Sequence, residues 1–212
     1  MRPKLFLLFL ALWCYGTSTK AQDTLYLEKP RCYAQLGLGY PLPNHKQLSG
    51  NVAVVVETKR NVAYGLRLYE YTYLHPVPSS DHVDEKYVPN HEYHEITLSV
   101  GKVIPLHQKI VFTTSVGPSY VNYKMPYNVK KVPSPTNSWG GFFNYSIYEY
   151  ETRRYQMLGG SVRGDLALYP GRKRKVGMSL GGFFGFNHKM TQWGIDLNLL
   201  IGTTLRKKQK DS

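Results

Sequence analysis

The stretch HEYHE, residues 91 to 95, sets two histidines and two glutamates in five positions. That density invites metal ligation or general acid–base chemistry. The spacing fits neither familiar zinc pattern, because the second histidine arrives one position too soon for H-E-x-x-H and the inverted H-x-x-E-H also fails. On a strand, His91, Tyr93 and Glu95 would share one face and Glu92 and His94 the other, so the two histidines diverge. The segment then reads as a polar strand rim, with metal binding by His91 and a loop histidine such as His82 as the alternative. A lipid-hydrolysing or acyl-transferring site would need a serine beside a histidine and an orienting carboxylate. His94 with Glu92 comes nearest, yet Ser99 and Ser115 fall on the opposite face. With no P-loop, dinucleotide fingerprint or cysteine cluster, the sequence assigns no catalytic residue, no metal ligand and no cofactor.

The elements around HEYHE alternate with a period of two. In WGIDLNLLIGTTL, Trp193, Ile195, Leu197, Leu199 and Ile201 share one face, and Gly194, Asp196, Asn198, Gly202 and Thr204 the other. The pattern recurs in EITLSVGKVI, IVFTTSVGPSY, MLGGSVRGDLALY and KVGMSLGGFFGF, and more weakly in YAQLGLGY, NVAVVVE and NVAYGLRLY. Eight such segments, each near the roughly 9 to 11 residues a tilted strand needs to cross a bilayer, predict eight spanning strands. The connections carry an independent signal. Residues 57–61, 105–108 and 170–175 are short and polar, whereas 41–50, 75–90 and 124–150 are long, with 187–192 intermediate. Short turns at one end and long loops at the other is the layout of an outer-membrane barrel.

The N-terminus agrees with export. Arg2 and Lys4, the apolar run Leu5 to Trp13, and small or polar residues to Ala21 have the order of a signal peptide, expected over residues 1–22. The barrel domain is expected over 23–212, closing on a short basic tail. Losing Arg2, Lys4 and Lys20 would take the formal charge from +13 to +10. Only Cys32 would remain, so no internal disulfide is expected. No later run reaches the ~18 apolar residues of a membrane helix. The basic excess gathers in the tail, at Lys59 and Arg60, and at 172–175, on the short-turn side. A ring of cations there suits anionic lipid headgroups and needs no nucleic acid.

Periodicity alone leaves open whether the apolar face turns inward, as in a soluble lipocalin-type carrier, or outward to lipid. Two features favour lipid. The polar face is rich in glycine and small residues and carries Arg67, Glu95, Arg163, Asp165 and Asp196, which would form a paired network inside a narrow barrel. Tyr40, Tyr64, Tyr120, Tyr169, Phe186 and Trp193 sit near strand ends, where aromatic belts lie. The expected fold is therefore an all-β, eight-stranded antiparallel up-and-down transmembrane β-barrel. In the loop SPTNSWGGFFNYSIYEYE, Trp139, Phe142, Phe143 and Tyr145 either form a contact surface for a protein partner or pack on one another.

The signal ending KAQ, the first strand YAQLGLGYPL, the glycine-rich SVRGDLALYPGRKRKVGMSLGGFFGF and the closing WGIDLNLLIG resemble small outer-membrane β-barrel proteins of the OmpA/OmpX type, particularly the porin-like barrels of the Bacteroidetes. The resemblance implies a bacterial outer-membrane location and a structural or interaction role through extracellular loops, not a wide pore. It also leaves room for a component of a secretion or surface-assembly complex. Such barrels usually close on an aromatic residue, whereas this sequence runs past Leu205 into RKKQKDS.

Overall fold

The computed structural model describes residues 30–42, 48–76, 88–132, 147–171 and 174–204. The eight alternating segments form eight strands: β1 (Arg31–Leu42), β2 (Ser49–Glu57), β3 (Val62–Leu74), β4 (Asn90–Pro105), β5 (Ile110–Val132), β6 (Ile147–Leu168), β7 (Val176–Asn187) and β8 (Thr191–Thr204). Each pairs antiparallel with its neighbour in sequence, and β8 returns to β1, from Arg31↔Thr204 to Leu42↔Trp193, closing a barrel. Closure removes the unpaired edges that an open sheet would expose.

The apolar face points outward. Leu36, Leu38, Val54, Leu66, Leu98, Leu180, Leu197 and Ile201 are all exposed, as are Tyr40, Tyr64, Tyr120, Phe186 and Trp193 near the strand ends. A lipocalin-type carrier has the opposite arrangement. Tyr169 departs from the expected belt: it is only 1% exposed, and it lies inside with Arg31. Its odd position in a stretch whose even residues face outward accounts for the difference.

At one end the turns are tight. Thr58 N–H donates to the Val62 carbonyl at 2.8 Å, and Asn61 takes the left-handed conformation, φ 58°, that asparagine tolerates. At the other end β5 and β6, of 23 and 22 residues, overrun their neighbours. β4 meets β5 only as far as Glu92↔Lys124, and β7 meets β6 only from Gly159↔Asn187. Much of what the sequence suggested was a loop from Lys124 is therefore a paired hairpin, continuing to Val132↔Ile147 across a bulge at Asn128, φ 54°.

Candidate functional site: the lumen and the projecting hairpin

Inward-facing side chains fill the barrel in three layers. At the short-turn end Tyr33, Val55, Val103, Val111, Tyr169 and Leu200 pack together. Arg31 donates to Glu57 at 3.2 Å and to the Arg174 carbonyl at 2.8 Å, and its guanidinium lies 4.7 Å from the Tyr169 ring centre. Arg174 in turn donates to the Gln108 carbonyl at 2.8 Å, tying two turns together. Arginine suits this position because its planar fork satisfies several acceptors while its face stacks on an aromatic ring.

The middle layer is polar and charged. Arg163 donates through Nε and Nη2 to Asp165, both at 2.7 Å, and through Nη1 and Nη2 to Asp196 at 2.6 and 2.5 Å. One guanidinium thus holds two carboxylates in bidentate geometry, the arrangement that best offsets desolvation. Arg67 joins indirectly, donating to Asn51 Oδ1 at 2.6 Å and Gln35 Oε1 at 2.7 Å. Asn51 donates onward to Asp196 at 3.2 Å, and Gln35 to Asp165 at 3.3 Å. The network needs room on the facing strands. A Cβ at Gly181 would come within 2.6 Å of Asp165 Oδ1 and closer still to Arg163 and Asp196, and one at Gly37 would meet Asn51 and Asn198.

Of the five residues the sequence grouped, the structure joins Arg163, Asp165 and Asp196 directly and Arg67 through amides. Glu95 stands apart. Tyr93 Oη donates to it at 2.6 Å and Thr97 Oγ1 at 2.8 Å, and no ion pair reaches it among the described residues. It shares with Arg67 and Arg163 a cavity of about 20 Å³, room for a single water. The expected pairing of Glu95 with an arginine is therefore replaced by two hydroxyl donors.

Above this lies an aromatic layer of Tyr69, Tyr71, Tyr93, Val121, Tyr123 and Met157. Tyr71 and Tyr93 stack at 4.9 Å, Tyr69 lies 4.9 Å from Phe183, and Gln192 donates to the Tyr71 hydroxyl. His91 is buried at its top, stacked on Tyr73 at 4.1 Å and bonded through Nδ1 to the Tyr123 hydroxyl at 2.7 Å. Its other nitrogen is 3.1 Å from His75 Nδ1. His82 lies outside the described residues, and among those described no group of three or more His, Cys, Asp or Glu could hold a metal.

Sequence reasoning missed Gln35, Asn51 and the interior tyrosines of β3, and it gave Tyr93 and Thr97, which it set on the face of Glu95, no part in the network. The available signal was parity, since Tyr69, Tyr71 and Tyr73 follow Arg67 in steps of two, and Tyr93 precedes Glu95 likewise. HEYHE itself divides as expected: His91, Tyr93 and Glu95 are buried, while His94 is exposed. Outside, His94 faces Glu70 with Nδ1 to Oε1 at 3.7 Å, and Glu92 is bonded instead to Lys124 at 2.8 Å. Ser99 and Ser115 line the interior cavity, away from His94. The described outer face thus brings no serine to that histidine across either flanking strand, where its partners are Glu70 and Asn122.

The projecting hairpin carries its own contacts. Tyr127 Oη and Asn128 Nδ2, the latter at 3.0 Å, both donate to Glu151, holding its carboxyl below the usual range. Lys130 is paired directly opposite Glu149. Trp139, Phe142, Phe143 and Tyr145 fall in 133–146, outside the described residues.

No protein-family profile matches the chain, and no curated protein matches it. Solved structures do. The N-terminal β-barrel domain of Pseudomonas aeruginosa OprF is similar at a TM-score of 0.52 and 12% identity, covering 81% of this chain and 96% of that one. Neisserial surface protein A gives 0.53 at 8% identity, over 81% and 96%. Ail, the attachment invasion locus protein of Yersinia pestis, solved with the heparin analogue sucrose octasulfate, gives 0.50 at 8%, over 83% and 99%. At such identities the likeness is one of fold, and it is to small eight-stranded β-barrels of bacterial outer membranes.

Proposed function

We propose that this chain is an exported outer-membrane barrel of the porin-like type found in Bacteroidetes, closed to bulk solute flow, that acts through its long-loop end as a structural or interaction protein. The observation that carries the reading is the β5–β6 ladder, which outruns the apolar belt and presents twelve residues of β6, 147–158, without a β7 partner. A strand edge of that kind offers backbone donors and acceptors to an extended segment of a protein partner. Residues 1–22 serve as the signal peptide, and the belt and basic short turns meet outer-membrane lipid. Three layers of interior side chains support a non-conducting lumen.

Orientation is the test. In a Cys32→Ser background, a cysteine introduced at Lys131 should react with a membrane-impermeant maleimide on intact cells, and one at Lys59 only after permeabilisation. Equal labelling of both on intact cells, or protection of the Lys131 position, would overturn the reading.

A further inference from the structure

The outer face of the β5–β6 ladder changes chemistry row by row as it enters the belt. Lys124 is paired with Arg154, Asn122 with Gln156, and Tyr120 with Leu158, all on outward-facing positions. Two cations, two amides and an apolar pair therefore succeed one another over roughly 13 Å of strand. Two like charges directly opposite each other in a ladder are unfavourable unless an anion joins them. Glu92 engages Lys124 at 2.8 Å. Arg154 is exposed and has no ion pair among the described residues. Because β7 begins its pairing at Gly159, no neighbouring strand covers this side, and Leu158 is 79% exposed, the most of any large apolar side chain described.

We infer that these three rows bind a phosphorylated glycolipid of the outer leaflet, an inference that rests on the outer-membrane reading above. The phosphate lies between Arg154 and Lys124, where a planar guanidinium forms paired charge-assisted hydrogen bonds and the ammonium adds a point charge. Sugar hydroxyls meet Asn122 and Gln156, and acyl chains lie along Tyr120, Leu158 and Ile96. The order phosphate, sugar, hydrocarbon matches the order of the rows, which favours a glycolipid over a glycerol-based anionic lipid. A free anion would use the first row alone. The neighbouring charges on β3 and β4 are Glu92, Glu70 and His94, and the two carboxylates confine the anion to the Arg154 side.

The test uses the full mature chain inserted in detergent micelles, with binding read by native mass spectrometry. The probes are an acylated, phosphorylated glucosamine disaccharide, the same lipid without phosphate, phosphatidylglycerol and inorganic phosphate. The phosphorylated glycolipid should bind at least about tenfold more tightly than the others. Arg154→Gln should lose most of that margin, whereas Arg153→Gln, one residue away with its side chain over the Tyr127 ring, should keep it. Equal loss in the two variants would reduce the effect to bulk charge and overturn the inference. So would equal binding of the dephosphorylated lipid or of phosphatidylglycerol, or displacement by millimolar phosphate. Heat-dependent gel mobility, measured alongside, separates these results from failure of the barrel itself.

Discussion

The Arg163 guanidinium is the residue on which the interior depends most. Asp165 and Asp196 both rely on it, and the Asp196 side chain is fully buried. Replacing Arg163 with alanine should cost about 3 to 5 kcal/mol, because two carboxylates are left in the lumen without their cation. Arg67→Ala should cost less, about 1 to 3 kcal/mol, since its own hydrogen bonds go to the neutral acceptors of Asn51 and Gln35 and not to a carboxylate. Urea unfolding of the refolded proteins in lipid vesicles measures both, and a reversed order would contradict the network. Strand parity placed Arg67, Glu95, Arg163, Asp165 and Asp196 on the lumen side, although Tyr169 was assigned to the outer face. It could not show which pairs meet, since contact across the barrel depends on the stagger between strands. Glu95 meets no arginine for that reason, and its donors are its own neighbours two positions away on β4, Tyr93 and Thr97. Outside the belt, Glu151 receives hydrogen bonds from Tyr127 and Asn128 that hold its pKa below the ordinary value. A carboxyl lowered by folding supports the structure at neutral pH, and that support is lost as pH falls through the lowered value. The Glu151 carboxyl carbon, followed by NMR, should titrate below the usual glutamate range, and Tyr127→Phe should move it back up.

At the scale of the strand, alternation was legible wherever one face meets an apolar surround, and there the element positions agree with the sequence. It lapsed in MPYNVKKV, where only Met125 and Pro126 still pack against neighbours and from Tyr127 onward no residue is buried to impose a period. The pairing there is kept by local polar contacts, Tyr127 and Asn128 to Glu151 and Lys130 opposite Glu149, which leave no hydrophobic trace. Tyr169 was misplaced because its aromatic character outweighed its parity. Two predictions belong at this scale. Leu98→Arg, in the middle of the β4 belt, should destabilise the inserted protein by about 2 to 4 kcal/mol, read by the same vesicle unfolding. Loss of under about 0.5 kcal/mol would place Leu98 outside the hydrocarbon. Replacing 126–152 by a short turn should leave the barrel intact, because those residues lie beyond the rows where β5 meets β4 and β6 meets β7. Circular dichroism that lost its strand signature on this deletion would make the hairpin part of the fold and not an appendage.

For the molecule as a whole, fold and role separate. Eight strands closing on themselves with leucines outward and arginine–aspartate pairs inward follow from the alternation of the sequence. A fold shared at 8 to 12% identity with OprF, Ail and Neisserial surface protein A specifies no activity, because function resides in sites carried on the scaffold. In the reading proposed above, those sites are the projecting hairpin and the graded rows beneath it. The filled lumen predicts no open-pore conductance in planar bilayers. The most direct measurement of the central claim is the gel mobility of the purified mature protein, heated and unheated, after refolding into vesicles. A closed membrane barrel retains its structure in detergent and migrates differently until boiled, and that shift is the predicted result. Identical mobility, together with recovery of the protein in the soluble fraction, would contradict the account.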